Sequence, residues 1–338
     1  LVNNKIEYRV GHPNQVEAKK HKFSPNDIQL TNLVTNISSF NLSKQEKLSF
    51  QLGQLSFKEK SQLQLNEASF NFNVDEKQIQ LSSLHLKTLQ NELDANLDVE
   101  FNQLFKWIQN PKKFNNASFN LDANLKLAEF TPYFPQLDSI NQIKSLENEL
   151  IQLNLASNGN SDTINLSRFN LKVNSTSLSA KGQINPLNQF KQLNYNLTQI
   201  HFESTRNDVE KFTDFTNESI QLPNQIQLDG NLVGNLNQVK SNTVIQLPEG
   251  KLKFFVDVEQ EPKIKLKTKL ELIDLELGKI LKQPDLNRVS WTFEAEGEGK
   301  DWQNLNADFT SNFEQLNYAN LDLSDLNFYL NIDGFLHK

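Results

Sequence analysis

Cysteine and methionine are both absent from the 338 residues, and proline (10), glycine (11), tyrosine (5) and tryptophan (3) are sparse. Without cysteine there are no disulfides and no thiolate metal sites, which suits an oxidising compartment that needs no staples and suits the cytosol equally. With Leu1 in first place and methionine missing, the sequence is expected to be a piece of a longer chain. No apolar run reaches about 18 residues and no signal peptide is recognisable, so any membrane anchor is expected outside this piece. The shortage of tyrosine and tryptophan argues against a transmembrane barrel, which needs aromatic girdles around an apolar exterior. Positive charge is short as well: the net charge is −7 and the isoelectric point is near 5.4. Nucleic acid is therefore excluded as an expected partner, because phosphate binding wants a basic footprint.

The residues of catalysis are scattered. His12, His21, His85, His201 and His337 show no metal-ligand spacing and no H-E-x-x-H pattern. No G-x-S-x-G elbow is present. The densest glycine stretch, "EGEGKD" (296–301), lacks the spacing of a phosphate loop and reads as a turn. No catalytic constellation emerges, so neither an enzyme nor a cofactor is expected.

Apolar residues make up only 37% of the chain, about 40% with glycine added, below the usual ~45–50%. They are spread nearly evenly, at every second position. That spacing suits a long sheet with one apolar face better than a globule with a thick core. The aromatic choice points the same way: 24 of the residues are phenylalanine, which has no polar handle and suits a surface that stays dry. Filling an ordinary core is the plainer explanation of the same composition.

Most of the sequence reads as strands. "ASFNFNV" (68–74), "ELDANLDVEF" (92–101) and "ASFNLDANLKL" (117–127) alternate strictly. Turn chemistry separates such runs at "VDEKQ" (74–78), "SNGNSD" (157–162), "VNSTS" (173–177) and "LPEGK" (247–251). This is the grammar of an antiparallel meander. In several strands the beat slips by one residue: "IQLTNLVT" (28–35), "FQLGQLSF" (50–57), "LQLNEASF" (63–70), "IQLSSLHL" (79–86), "INLSRFNL" (164–171) and "LDLSDLNF" (321–328). An extra residue is expected to be a β-bulge, or a strand break with re-pairing, and either one re-phases the side chains and adds bend. Repeated from strand to strand, it would curl a sheet into a trough. Two short strands meeting at a tight corner would also give curvature.

Three interruptions read as helical. "FNQLFKWIQN" (101–110) places Phe101, Leu104, Phe105 and Ile108 on one face before Pro111. "NDVEKFTDF" (207–215) and "LELGKIL" (275–281) are similar, whereas "AEFTPYFPQL" (128–137) reads as an irregular turn. The segments ending at Phe130, Phe202 and Leu275 stand 72 and 73 residues apart, which suggests a recurring unit. Approximate units are 1–127, 128–199, 200–272 and 273–338 of one elongated groove. The expected fold is all-β: an elongated, curled antiparallel sheet forming a U-shaped groove, with a few short helical connectors.

Two charged stripes stand out. Lys263, Lys265, Lys267 and Lys269 share one strand face, and Glu294, Glu296 and Glu298 share another. An anionic headgroup site and a calcium site are the functional readings. A solvated face, with the two stripes paired across neighbouring strands, is the favoured one. The N-x-[ST] sequons at Asn36, Asn116 and Asn196 are expected by chance in so asparagine-rich a chain.

The slipped motif, the units and their connectors together resemble the translocation and assembly module B (TamB) and AsmA-like family. The stretches that carry the resemblance are "FSPNDIQLTNL" (23–33), "LSFKEKSQLQL" (55–65), "LPNQIQLDGNLVG" (222–234) and the run 275–334. It extends over nearly the whole chain. The sequence departs from the family pattern in lacking an N-terminal membrane helix and the C-terminal end, and "NLD" (320–322) lacks an expected turn glycine. The resemblance implies a periplasmic bridge between inner and outer membrane, anchored by a helix outside this piece. It implies phospholipids as cargo, an outer-membrane β-barrel partner, and a role in outer-membrane biogenesis. The residues expected to line the groove are Phe70, Phe72, Ile79, Leu81, Leu84, Leu86, Leu121, Leu125, Phe254, Val256 and Phe293. The rival readings are an assembly chaperone working by strand addition at unpaired end strands, a passive structural or adhesive β-repeat protein, and, least of all, an enzyme.

Overall fold

Alternating side chains with turn residues between them fold here as the sequence grammar predicts. Among the described residues the protein is all-β, with 19 antiparallel strands and a few short helices at strand ends. A computed structural model describes residues 4–10, 26–43, 47–111, 113–130, 144–185, 193–213 and 219–332. Its contacts divide the chain into two units, Leu1–Asn174 and Ser175–Lys338. The segment 131–137 of the expected irregular turn lies outside the described residues.

The first unit holds β1 (Asn4–Arg9), β2 (Asp27–Ser43), β3 (Lys47–Glu59), β4 (Gln64–Val74), β5 (Gln78–Lys87), β6 (Glu92–Glu100), β7 (Asn116–Leu125), β8 (Ile151–Gly159) and β9 (Ile164–Val173). Each pairs antiparallel with the next in chain order. The second unit holds β10 (Thr176–Asn185), β11 (Asn194–Thr205), β12 (Gln225–Asn235), β13 (Gln238–Leu247), β14 (Gly250–Glu259), β15 (Ile264–Leu275), β16 (Leu286–Gly299), β17 (Leu305–Tyr318), β18 (Leu321–Asp322) and β19 (Leu326–Ile332). These also follow chain order, except that β17 pairs with both β18 and β19.

Three of the hairpins turn on one device. Asp75 Oδ1 accepts from the N–H groups of Lys77 (2.8 Å) and Gln78 (3.0 Å) between β4 and β5. Asn160 does the same for Asp162 and Thr163, both at 2.9 Å, and Asn235 for Asn237 (2.8 Å) and Gln238 (3.0 Å). A short acceptor side chain that satisfies the backbone two and three residues on is what makes Asn and Asp good turn residues. The stretch 157–159, expected to turn, still belongs to β8, and the turn begins at Asn160.

The slipped motifs are β-bulges in five of the six places. The ladder loses register between Thr31 and Val34, between Leu52 and Leu55, across Leu65–Ala68, between Leu81 and Leu84, and opposite Ala156 where Leu166 and Phe169 flank the extra residue. Asn32 (φ 54°) and Ser83 (φ 53°) take the left-handed conformation that short polar residues tolerate. The amide that the Ser83 bulge frees from the ladder donates to Asn96 Oδ1 at 2.8 Å, which gives it a partner in place of the ladder. The sixth motif, at 321–328, is a strand break: Ser324 and Asp325 (φ 62°) separate β18 from β19. Three further bulges carry the same spacing: Leu197–Ile200 on β11, Leu272–Leu275 on β15 and Phe313–Leu316 on β17.

Helices sit where the sequence places them, with different faces. α1 (Leu104–Gln109) leaves Phe105 and Ile108 exposed, while Trp107 stacks on the buried Phe101 with ring centroids 5.0 Å apart. The helix is a single turn and a half, too short to present a stripe, so the one bulky ring that reaches back to the strand end does the packing. α2 (Arg206–Thr213) places the buried Asp208 to accept from Ser175 N (3.0 Å) and Thr176 Oγ1 (3.1 Å). In the first unit Glu129 does the equivalent. It follows β7 and accepts from Thr88 Oγ1 (2.5 Å), Gln90 N (3.1 Å) and the Asn91 side chain in the β5–β6 turn. α3 (Leu277–Ile280) follows β15 directly, and the Glu276 amide before it donates to Glu249 O at 2.8 Å in the β13–β14 turn. Each connector thus caps a neighbouring hairpin turn. The glycine stretch at 296–301 belongs to β16 as far as Gly299: a Cβ on Gly297 would stand 2.7 Å from Ala307 Cβ, so glycine is there for close strand approach.

Candidate functional site: an uncharged apolar face

Paired residues on adjacent antiparallel strands lie on the same face, so the register assigns every side chain to one side. In the second unit one row runs Leu178, Phe202, Leu228, Ile245, Leu252, Leu272, Trp291, Phe313, Leu326 across nine strands. The next row runs Ala180, Ile200, Gly230, Thr243, Phe254, Leu270, Phe293, Ser311, Phe328. A third includes Leu197, Leu232, Val256, Thr268, Ala295, Phe309 and Leu330. None of these positions carries a charge. Trp291, the one residue with a polar handle in the first row, donates Nε1–H to Ser311 Oγ at 2.7 Å, so its polar atom needs no water.

The first unit repeats the arrangement. Phe50, Phe72, Leu81, Leu97, Phe119, Ser157 and Leu166 form one row, and Leu55, Ala68, Leu86, Leu93, Ala123, Leu153 and Leu171 another. Between them lie Leu52, Phe70, Leu84, Ala95, Leu121, Leu155 and Phe169. Ile79 joins Val74, Val99 and Ala117 along one margin, and Leu125 joins Ile151 and Val173 along the other. Of the expected lining residues, Phe70, Phe72, Ile79, Leu81, Leu84, Leu86, Leu121 and Leu125 therefore share the apolar face of the first unit. Phe254, Val256 and Phe293 share that of the second. The sequence reading did not single out the rest of the rows. Trp291, Phe309 and Phe313 could have been found by the same alternation.

Burial on this face is graded by size. Ala68, Ala95 and Ala123 are at most 7% exposed, hidden between larger neighbours, whereas most Leu and Phe of the rows are half-buried and Phe254 is 39% exposed. Aromatic rings close some of the gap: Phe50 lies 5.4 Å from Phe72 and 5.7 Å from Phe70, and Trp291 stacks on Phe313 at 5.7 Å. Full burial of a Leu or Phe contributes about 1.5–3 kcal/mol, so a half-buried row retains apolar surface that a further apolar body would desolvate.

The other face is polar and internally paired. The lysine stripe of β15 meets carboxylates on both sides: Lys263–Glu298 at 2.9 Å, Lys265–Glu259 at 3.0 Å, Lys267–Glu296 at 3.1 Å and Lys269–Glu294 at 2.9 Å. Glu294, followed by Glu271, holds the Lys269 ammonium above the usual lysine range. The two stripes thus pair with each other, and the described residues hold no cluster of three or more potential metal ligands. On the same face His201 Nδ1 lies 2.7 Å from Asp229, and Nε2 lies 3.2 Å from Glu203. The Asp229 hydrogen bond is the first cause that raises the imidazole above its ordinary value.

No helix among the described residues is long and apolar enough to cross a membrane. No family model, no curated protein and no solved structure matches this chain.

Proposed function

We propose that this protein is a segment of a periplasmic lipid conduit, carrying phospholipid acyl chains along its apolar face between inner and outer membrane and so serving outer-membrane biogenesis. The observation that supports this reading is the row structure: successive strands present uncharged apolar residues in register, and those residues stay partly open. An acyl chain of ~16 carbons loses roughly 13 kcal/mol on exposure to water, at ~0.8 kcal/mol per methylene. A surface on which every step offers the same apolar contact removes that loss without a deep well, so a chain can slide. The resemblance to the TamB and AsmA-like family supplies the compartment and the cargo class. The reading assigns no catalytic group and no cofactor. Lipid analysis by mass spectrometry after purification in detergent-free buffer tests it. Retained diacyl phospholipid is the expected result, and a lipid-free, lipid-refractory protein would sink it.

A second reading has its own observation. On β19, Phe328 and Leu330 are 57% and 56% exposed, and the strand "LNFYLNI" carries none of the charge, proline or bulge that usually blunts an edge. A client strand with alternating apolar residues could pair there and extend the rows, as an assembly chaperone or scaffold for β-barrel proteins would require. Crosslinks to client protein confined to β19 would favour this reading over the conduit.

A further inference from the structure

Aromatic rings are unevenly shared along the second unit's apolar face. In its three central rows the six strands β10 to β15 carry two, Phe202 and Phe254, whereas β16, β17 and β19 carry five: Trp291, Phe293, Phe309, Phe313 and Phe328. The five form one arc, Phe309–Phe293–Trp291–Phe313–Phe328, with ring centroids 6.1, 5.7, 5.7 and 6.3 Å apart in turn. Ser311 stands inside the arc. The register sets it directly between Phe293 on β16 and Phe328 on β19, and Phe309 and Phe313 lie two residues away on its own strand and face. Trp291 leans across to it, donating Nε1–H to Ser311 Oγ at 2.7 Å. A hydroxyl can donate as well as accept. That of Ser311 accepts from the indole, and among the described residues no acceptor takes its proton. Phe328, 57% exposed, is the most open of the five rings.

We propose that the ring arc around Ser311 is a binding site for a planar conjugated ring that carries a carbonyl oxygen, the chemistry of a quinone head. Small-molecule sites are mostly apolar and aromatic, with a few polar groups that fix orientation, and here one hydroxyl donor stands among five rings. Ring faces and edges attract another π-system beyond what area burial supplies, whereas a saturated chain draws no such benefit from them. The carbonyl supplies the acceptor that the Ser311 proton lacks, and it orients the ligand's ring against Phe293 and Phe328. An apolar tail on such a head would continue over the leucine-rich rows of β15 and β14, where contact area alone counts. This goes beyond the conduit reading and does not rest on it, because a ligand held at one place needs no passage from strand to strand.

Equilibrium dialysis of the full chain against three probes tests it. The naphthoquinone 2-methyl-1,4-naphthoquinone has ring and carbonyl, 2-methylnaphthalene has the ring alone, and methyl decanoate has a carbonyl without a ring. Wild type should bind the naphthoquinone more tightly than either of the others, a comparison that needs no variant. Ser311→Ala should weaken the naphthoquinone by roughly 3- to 10-fold, the loss of one hydrogen bond, and leave 2-methylnaphthalene unchanged. Phe328→Leu, at an exposed side chain, should weaken both ring probes severalfold and spare methyl decanoate. Phe255→Leu, on the opposite face between Asn242 and Lys269, is the control and should change none of them. Near-UV circular dichroism checks that each variant is folded. Methyl decanoate binding as tightly as the naphthoquinone would overturn the ring assignment, leaving a face that takes acyl esters. A naphthoquinone that binds folded Ser311→Ala as well as wild type would overturn the role of the hydroxyl, and failure of both ring probes to bind wild type would overturn the site.

Discussion

Leu81 and Leu84 lie on the same face of β5 although three positions separate them: Leu81 pairs with Leu97 and Leu84 with Ala95, two residues apart on the uninterrupted β6. Ser83, with φ 53°, absorbs the extra residue. Without it Leu84 and Leu86 would turn to the polar side.

This relationship makes a stability prediction. Ser83→Gly should be nearly neutral, since glycine takes positive φ freely, whereas Ser83→Val should destabilise by roughly 1–2 kcal/mol. Deleting Ser83 should be worse than either, because it reverses the phase of the strand beyond it. Urea melts of the three variants check the order; Val matching Gly would contradict the bulge.

Two positions on one face should respond oppositely to charge. Leu275, at 2% exposure, is closed in, and Leu275→Asp should cost roughly 3 kcal/mol or more. Phe254, at 39%, can leave a carboxylate partly hydrated, so Phe254→Asp should fold. Leu125→Arg, at the margin of the first unit, should fold as well. In the conduit reading these folded variants block passage of a lipid tail. Protease resistance, paired with lipid crosslinking on either side of the substitution, measures both parts.

The paired stripes should be worth little. Lys267 and Glu296 are both largely exposed, and such pairs contribute about 0.2–1 kcal/mol, less at high salt. Lys267→Ala should therefore shift the melt by no more than that, with a difference that shrinks in 1 M salt (Debye length ~3 Å). A larger, salt-insensitive loss would mean that the stripe has another role.

His201 should titrate above the ordinary histidine value of about 6.5. Because its folded value is raised, its contribution to stability is complete below about pH 6.5 and is lost as pH rises through the folded value. Asp229→Asn should bring the imidazole back down, since that hydrogen bond is the first cause of the shift. NMR titration of the ring protons reads both; an unmoved value in the variant would contradict the contact.

The apolar face was legible in the sequence because a strand's side chains have period two, so Phe70 and Phe72 or Leu121 and Leu125 declare their common side by spacing alone. The bulges were legible where two apolar residues flank two polar ones, as in Leu81–Ser82–Ser83–Leu84. They were missed at Leu197–Ile200 and Phe313–Leu316, where the same spacing lies inside longer strands. At 321–328 an identical pattern breaks the strand instead. There Ser324 Oγ accepts from Leu316 N at 3.2 Å and donates to Asp322 at 2.6 Å, an interaction that local spacing does not encode.

Chain-order pairing within each unit, with the rows kept in phase, imposes a parity on change. Removing a single strand would reverse the direction of every later one and break its ladder. Removing or duplicating a whole hairpin would leave directions, faces and neighbouring ladders intact. A lineage carrying this architecture can therefore lengthen or shorten it only in two-strand increments, much as a zipper is cut between teeth, and the reach of the apolar face becomes a quantity adjustable without redesigning any residue already in place.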